Sequence, residues 1–368
     1  MTDCLTIPSA HPPRVLMTLD AVGGVWRYAI DLARGLRDAG CGVTLAGFGP
    51  RPEAAKQQEA EAVGTLDWCD APLDWMCESE AQLRDVPAEM KRLIRTHRPD
   101  VVQVNYPSQA ARLDVQVPVV AVSHSCVATW FAAVRGTELP TNWQWQARLN
   151  RAGFDRADAV VAPSRAHAAL MERTYGPITE LRAVHNATSA PEADGPGGER
   201  VIAMGRWWDD GKDGATLDAA AGMTGWPVTM LGATTGGNGT HLDVRNAEAP
   251  GEMDHARALD HLRHAGAFVA PSIHEPFGLA VAEAARAGLP LVLSDIPTFR
   301  ELWDGAAVFV PPRDPTALAD ALNHLAAAPE RRRALGTAAR TRAARYTPAA
   351  QTHGMLDLYA TLPATEAA

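Results

Sequence analysis

The sequence predicts an α/β protein built from two doubly wound parallel halves. Three observations predict it. Short apolar runs alternate with segments of helical period, the alternation breaks at a Pro-, Gly- and acid-rich stretch and then restarts, and 368 residues suffice for two cores.

The elements follow in order. Arg14–Leu19 reads as a first strand and Ala21-Val-Gly-Gly24 as a loop, with a helix from Trp26 to Ala39 whose Ala29, Leu32, Ala33 and Leu36 share a face. Gly40 closes that helix and Cys41–Ala46 is the next strand, which makes a βαβ unit of a parallel sheet. Further units follow: a helix Met90–His97 before the strand Val101–Val104, a strand Val117–Ser123, and a helix ending at Arg156 before the strand Ala159–Ala162. A helix Arg165–Tyr175 comes next. Pro191–Gly198 has the composition of a linker. The pattern resumes with strands at Val201–Met204, Val228–Leu231, Ala267–Ala270, Leu291–Leu293 and Ala307–Val310, and with helices Ala215–Ala221, His255–Ala265 and Ala280–Ala287. From Pro315 the chain reads as helical, interrupted at Pro329 and Pro348.

Composition excludes several classes. Apolar content of 46% and charged content of 21% are those of a globular protein, and a net charge of −9 argues against nucleic acid as a partner. No charged-then-apolar leader and no apolar run of about 18 residues is present, so a cytoplasmic location is expected. Cys4, Cys41, Cys69, Cys77 and Cys126 are odd in number and scattered, which fits reduced thiols better than a metal or disulfide framework. Sequons at Asn186 and Asn238 carry no weight without a secretory signal.

The most informative stretch is His274-Glu275-Pro276-Phe277-Gly278-Leu279 with Glu283 eight residues beyond Glu275, lying between the strand Ala267–Ala270 and a helix. A helix start offers free N–H groups to an anion, and the two acids offer acceptors to hydroxyls. That combination suits a ligand carrying both phosphate and hydroxyls, such as a nucleotide sugar. After the strand Val201–Met204, Gly205-Arg206 and Gly211-Lys212 provide a planar fork and a compact cation where a leaving diphosphate would gather charge. Lys212 is one of three lysines in the chain, with Lys56 and Lys91.

Glu275-Pro-Phe-Gly-Leu-x-x-x-Glu283-Ala284, followed by Ala287-Gly288-x-Pro290 and Ser294, resembles the signature of the retaining glycosyltransferases of family 4, the "group 1" transferases. The resemblance implies the GT-B fold: two Rossmann-like domains facing each other across a cleft, with a last helix crossing back to the N-terminal domain. It implies an N-terminal acceptor domain over residues 1–187, joined by 346–368, and a C-terminal nucleotide-sugar donor domain over 188–345. It further implies that Glu283 binds the donor ribose, that Glu275 and the backbone of Pro276, Phe277, Gly278 and Leu279 hold the donor sugar, and that Arg206 and Lys212 contact the diphosphate. The Arg206–Lys212 spacing is one residue longer than the family's commonest form. Gly23 and Gly24 resemble its N-terminal glycine loop, which approaches the diphosphate, and His124 matches a His beside the donor sugar. Asn186 matches the family's Asn-Gly, with Ala187 in place of Gly, and is read as a turn or hinge. The stretch Arg245–Met253 reads as a loop and is expected to face the nucleobase.

The expected activity is transfer of a sugar, a hexose by expectation, from a UDP-sugar rather than a GDP-sugar to an acceptor hydroxyl with retention. The acceptor is a saccharide, a lipid-linked species or a small molecule. No cofactor beyond the co-substrate is expected. With no Asp-x-Asp in the chain and with Arg206 and Lys212 present, a metal-independent reaction is expected. Alternatives are a nucleotide-sugar epimerase on the same fold and a non-catalytic partner subunit. His255, His261 and His264 are read as a solvated face rather than a metal site. Trp68, Trp75, Trp130, Trp143 and Trp145 are expected mainly in packing, with stacking on sugars as the rival role. Lys91, Arg92, Arg95 and Arg98 are read as a solvated face, with a peripheral membrane contact as the rival.

Overall fold

The computed structural model describes residues 12–237 and 239–363. Cys4, the Asn238 sequon, and the outermost parts of the domain expectation (1–11 and 364–368) lie outside the described residues. The chain divides into two compact units, one of residues 1–187 with 348–368 and one of residues 188–347.

The first unit holds seven strands: β1 (Arg14–Leu19), β2 (Gly42–Gly47), β3 (Thr65–Trp68), β4 (Val101–Val104), β5 (Val119–Val122), β6 (Ala159–Ala162) and β7 (Leu181–Ala183). They form one parallel sheet in the order β3-β2-β1-β4-β5-β6-β7. β4, β5 and β6 are buried at every residue, as strands covered on both faces must be. On one face pack Trp26, Ile30, Leu32 and Leu36 of the helix Gly24–Asp38 together with Met355, Leu356 and Tyr359 of the helix Pro348–Tyr359. Met90 and Leu93 of the helix Val86–His97 cover the other. The last helix therefore rejoins the first unit, as the GT-B fold class requires.

The second unit holds β8 (Val201–Met204), β9 (Val228–Leu231), β10 (Glu248–Gly251), β11 (Ala267–Ala270), β12 (Leu291–Ser294) and β13 (Ala307–Val310). These are again parallel, in the order β10-β9-β8-β11-β12-β13. Val281, Ala285, Phe299, Trp303 and Ala339 fill one face, and Trp207, Leu217, Leu318 and Leu322 the other.

Three edge strands add to those the sequence predicts. β3, β7 and β10 are short and largely polar or exposed, and β10 contains Pro250, which an edge tolerates because it need not donate to a second neighbour. The polar helix Ala54–Glu61 is a further addition, without an apolar stripe to announce it. Pro191–Gly198 reads as a linker, yet it belongs to the second unit, where Arg340 Nη2 donates to the Ala193 carbonyl. The same captured coil begins at Ala190, whose carbonyl accepts from Arg286 Nε.

Both sheets reverse direction beside their first strand. The switch points lie between β1 and β4 in the first unit and between β8 and β11 in the second. Crevices beyond the carboxyl ends of strands at such points are where open α/β sheets bind ligands.

Candidate functional site

In the second unit the loops after β8 and β11 leave the two strands that flank the switch point. The β8 loop starts at Gly205, whose carbonyl would lie 2.1 Å from a Cβ on Gly232, a residue with φ of 118°. Only glycine lets the end of β9 approach this closely. Trp207 turns inward, 3% exposed, and its Nε1 donates to Leu231 O at 3.0 Å. Asp209 then shapes the turn, its Oδ1 accepting from Gly211 N at 2.9 Å. One buried indole and one turn-forming acid thus occupy the lengthened interval between Arg206 and Lys212.

The turn is tied to the second loop by backbone. Gly211 O accepts from Ile273 N at 2.9 Å and from His274 N at 3.2 Å. That contact brings Lys212 Nζ to 2.5 Å from Glu275 Oε2, with the side chains 19% and 15% exposed. Two residues 63 apart in sequence therefore form one ion pair at the switch point. An ammonium has three donors, so this contact leaves two for another anion.

Beyond Glu275 the chain turns into the helix Leu279–Arg286. Phe277 is 2% exposed and meets the Tyr346 ring edge-on with centroids 5.5 Å apart. It anchors the loop in the core. Gly278 has φ of 89°, and a Cβ there would sit 3.2 Å from both Glu275 Cγ and Phe299 Cε1. Pro276 is half-buried and Leu279 opens the helix.

Glu283 is 5% exposed, and one oxygen stands 2.9 Å from His255 Nε2. His255 thus departs from the solvated face expected of it, because helix His255–Arg263 starts against helix Leu279–Arg286 at this point. Its sequence signal is slight: an isolated His directly after the N-cap Asp254. His264 keeps the expected exposure. His274 is buried, and removal from water pushes its imidazole down to about 4.

Arg206 takes other partners. Its guanidinium is 54% exposed, 3.9 Å from Asp209 and 5.7 Å from the Trp208 ring centroid.

In the first unit Gly23 ends the β1 loop with φ of 82° and caps the helix Gly24–Asp38, and both glycines are exposed. His124 follows β5. It is half-buried, packs edge-on against Tyr28 with centroids 4.4 Å apart, and its Nε2 lies 3.1 Å from Asn105 Oδ1. Loss of hydration pushes it down to about 3, so the ring is neutral near pH 7. Asn186 is 7% exposed, two residues before the start of the second unit at Thr188. Trp145 is buried and Trp68 Nε1 donates to Gly49 O at 2.9 Å, while Trp75 is 47% exposed. Arg92 is taken up by Asp67 and Glu89. Cys41, Cys69, Cys77 and Cys126 are free thiols whose pKa values burial raises. No helix among the described residues is long and apolar enough to cross a membrane.

The fold and these loops coincide with a known class. Residues 22–189 match the profile described as Glycosyltransferase Family 4, and residues 243–342 match Glycosyl transferases group 1. The chain belongs to the group 1 glycosyltransferases and is an enzyme of that class. It is 26% identical to the glycogen synthase of Mycobacterium tuberculosis over 380 residues, which covers 90% of this chain and 88% of the relative. A phosphatidyl-myo-inositol mannosyltransferase of Mycobacterium leprae is 34% identical over 157 residues, 38% of this chain and 41% of that one. Among solved structures, sucrose-phosphate synthase from Thermosynechococcus elongatus superposes with a TM-score of 0.78 at 20% identity, covering 94% of this chain and 98% of that one. Anabaena HepE in complex with UDP-glucose gives 0.75 at 14% identity, covering 95% and 100%. These likenesses show the GT-B fold.

Proposed function

We propose that this glycosyltransferase moves a hexosyl group from a UDP-sugar to an acceptor hydroxyl with retention and without a divalent metal. The observation that carries the reading is the Lys212–Glu275 pair, assembled from the two loops at the switch point beside a helix start. Lys212 keeps donors for a diphosphate, the Gly278–Leu279 helix start adds backbone N–H groups, and Glu275 accepts from sugar hydroxyls. Glu283, held by His255, accepts from the ribose. Arg206, its guanidinium more than half exposed, meets the leaving diphosphate as a second cation. In the first unit the Gly23–Gly24 loop and helix start serve the diphosphate and His124 the donor sugar. A UDP-sugar is favoured because Anabaena HepE binds UDP-glucose.

In the transfer the bond between the anomeric carbon and the phosphate oxygen breaks, and a bond to the acceptor oxygen forms on the same face. The acceptor's proton passes to the departing phosphate. Lys212 and Arg206 stabilise the charge that develops there. With these two cations in the second unit and no Asp-x-Asp in the chain, a divalent ion is not required for that role. The first unit, with its exposed Trp75, would receive the acceptor.

Thermal shift against uridine, guanosine and adenosine diphosphates tests the donor class. A ligand at about a hundred times its Kd adds about 2.7 kcal/mol of stability, so a selective rise in Tm with UDP is expected. A rise with GDP alone would replace the donor assignment, and no rise with any of the three would overturn it. Product formation that survives chelation supports the metal-independent reading.

A further inference from the structure

A line of buried polar side chains in the first unit ends on His124. Asn105 follows β4 at the switch point and is 1% exposed. Its backbone N–H donates to Thr18 Oγ1 at 2.9 Å, and its side-chain Nδ2 donates to Thr18 O at 2.6 Å. A carbonyl oxygen only accepts, so the amide nitrogen must face Thr18 and Oδ1 must face away. Oδ1 accepts from Gln103 Nε2 at 3.2 Å and stands 3.1 Å from His124 Nε2. Since Oδ1 also has no hydrogen, the contact requires the proton on His124 Nε2. The neutral ring then carries its lone pair on Nδ1.

Gln103 is itself held. It is fully buried, its Oε1 accepts from the Tyr359 hydroxyl, and its Nε2 also lies 3.3 Å from Tyr28 Oη. Tyr359 ends the helix Pro348–Tyr359, the segment that returns to this unit from the far end of the chain. Tyr28 completes the loop by packing edge-on against His124. An apolar β4 would have satisfied the core, so a fully buried Gln followed two residues later by a fully buried Asn demands a reason.

We propose that Asn105 is a positioning residue for transfer: it fixes His124 as the Nε2–H tautomer, which makes Nδ1 an acceptor for a substrate hydroxyl. Gln103, with Tyr359 behind it, keeps Oδ1 aimed at the ring. The inference rests on the reading of His124 as a substrate contact. The specific consequence is directional, because His124 receives a hydrogen bond from the hydroxyl and does not donate one.

Long-range proton–nitrogen spectra of protein labelled with nitrogen-15 histidine report the tautomer directly, with the His124 signals found by difference against His124→Gln. The Nε2–H form is expected between about pH 6 and about pH 8, and an Nδ1–H form or an imidazolium would overturn the proposal. Asn105→Leu removes the acceptor with a side chain of similar branched shape. It should yield mixed tautomers and lower kcat for UDP release from UDP-glucose about ten- to a hundredfold, with donor KM within about threefold, as expected for a misplaced contact. Asn105→Gln keeps both an amide oxygen and an amide nitrogen and should recover part of the tautomer preference and of kcat. Full kcat in Asn105→Leu, or lost kcat with an unchanged tautomer, would sink the positioning role. If instead His124→Gln turns over at the wild-type rate while the tautomer is as expected, the substrate contact fails and the tautomer assignment stands.

Discussion

Lys212→Ala separates a structural role for the Lys212–Glu275 pair from a role in binding donor. Losing one partner of a fully buried pair costs about 3–5 kcal/mol, whereas an exposed pair is worth about 0–1 kcal/mol. With side chains 19% and 15% exposed, the pair lies between these limits, and the loss should be about 2 kcal/mol. For a unit of this size that lowers Tm by about 4–8 °C. Glu275→Gln in the Lys212→Ala background removes the stranded carboxylate and should restore about half of the loss. Binding follows a different rule. A charge-assisted hydrogen bond to phosphate is worth about 1.5–3 kcal/mol, so UDP affinity by calorimetry should fall about ten- to a hundredfold in Lys212→Ala. It should stay low in the double variant. Transfer should fall further, by about a hundred- to a thousandfold, because charge on the leaving group is greatest in the transition state. A variant that melts earlier yet binds UDP with wild-type affinity would refute the reasoning, because Lys212 would then serve Glu275 alone.

Gly278→Ala must place a side chain at φ of 89° with its Cβ 3.2 Å from Glu275 and Phe299; a loss of about 1–2 kcal/mol in chemical denaturation is expected, with weaker donor binding because Glu275 is pushed aside. His255→Ala removes the group facing Glu283 and should weaken UDP binding about three- to tenfold by calorimetry; unchanged affinity would show that His255 does not orient the acid. His274 has its folded pKa lowered to about 4 against an ordinary value of 6.5. The unfolded chain therefore binds the extra proton first, and stability falls as pH drops from about 6.5 toward about 4, by at most about 3 kcal/mol. Melting curves across that range should show the decline, and His274→Gln should make it shallower, leaving the share that His124 contributes; an equal slope in the variant would assign the decline to other groups.

The alternation of apolar and helical segments is legible because parallel strands covered on both faces must be continuously apolar. Hence β1, β6, β8, β9 and β11 stand where the sequence places them. Of the four edge strands only β13, apolar throughout, is legible. A strand with one neighbour and an open side needs neither apolar continuity nor every N–H, so β3, β7 and β10 carry little pattern, and the segment 245–253 reads as a loop although β10 lies within it. Arg340 and Arg286 likewise convert a linker composition at 190–193 into part of the second unit, by capturing carbonyls from far along the chain.

The sequence by itself determined the family, because a glycine at positive φ, an anchoring Phe and two acids on one loop and helix are local requirements that local residues meet. Which cations and acids meet was decided only by the tertiary structure. Lys212 reaches Glu275 because β8 and β11 are neighbours in the sheet while 63 residues separate the side chains. His255 reaches Glu283 across two helices, and the return of the last helix sets Tyr359 behind Gln103, Asn105 and His124. Periodicity records which face a residue presents to its own element. It carries no record of which distant element will face it, and that pairing is set by the order of strands in the sheet.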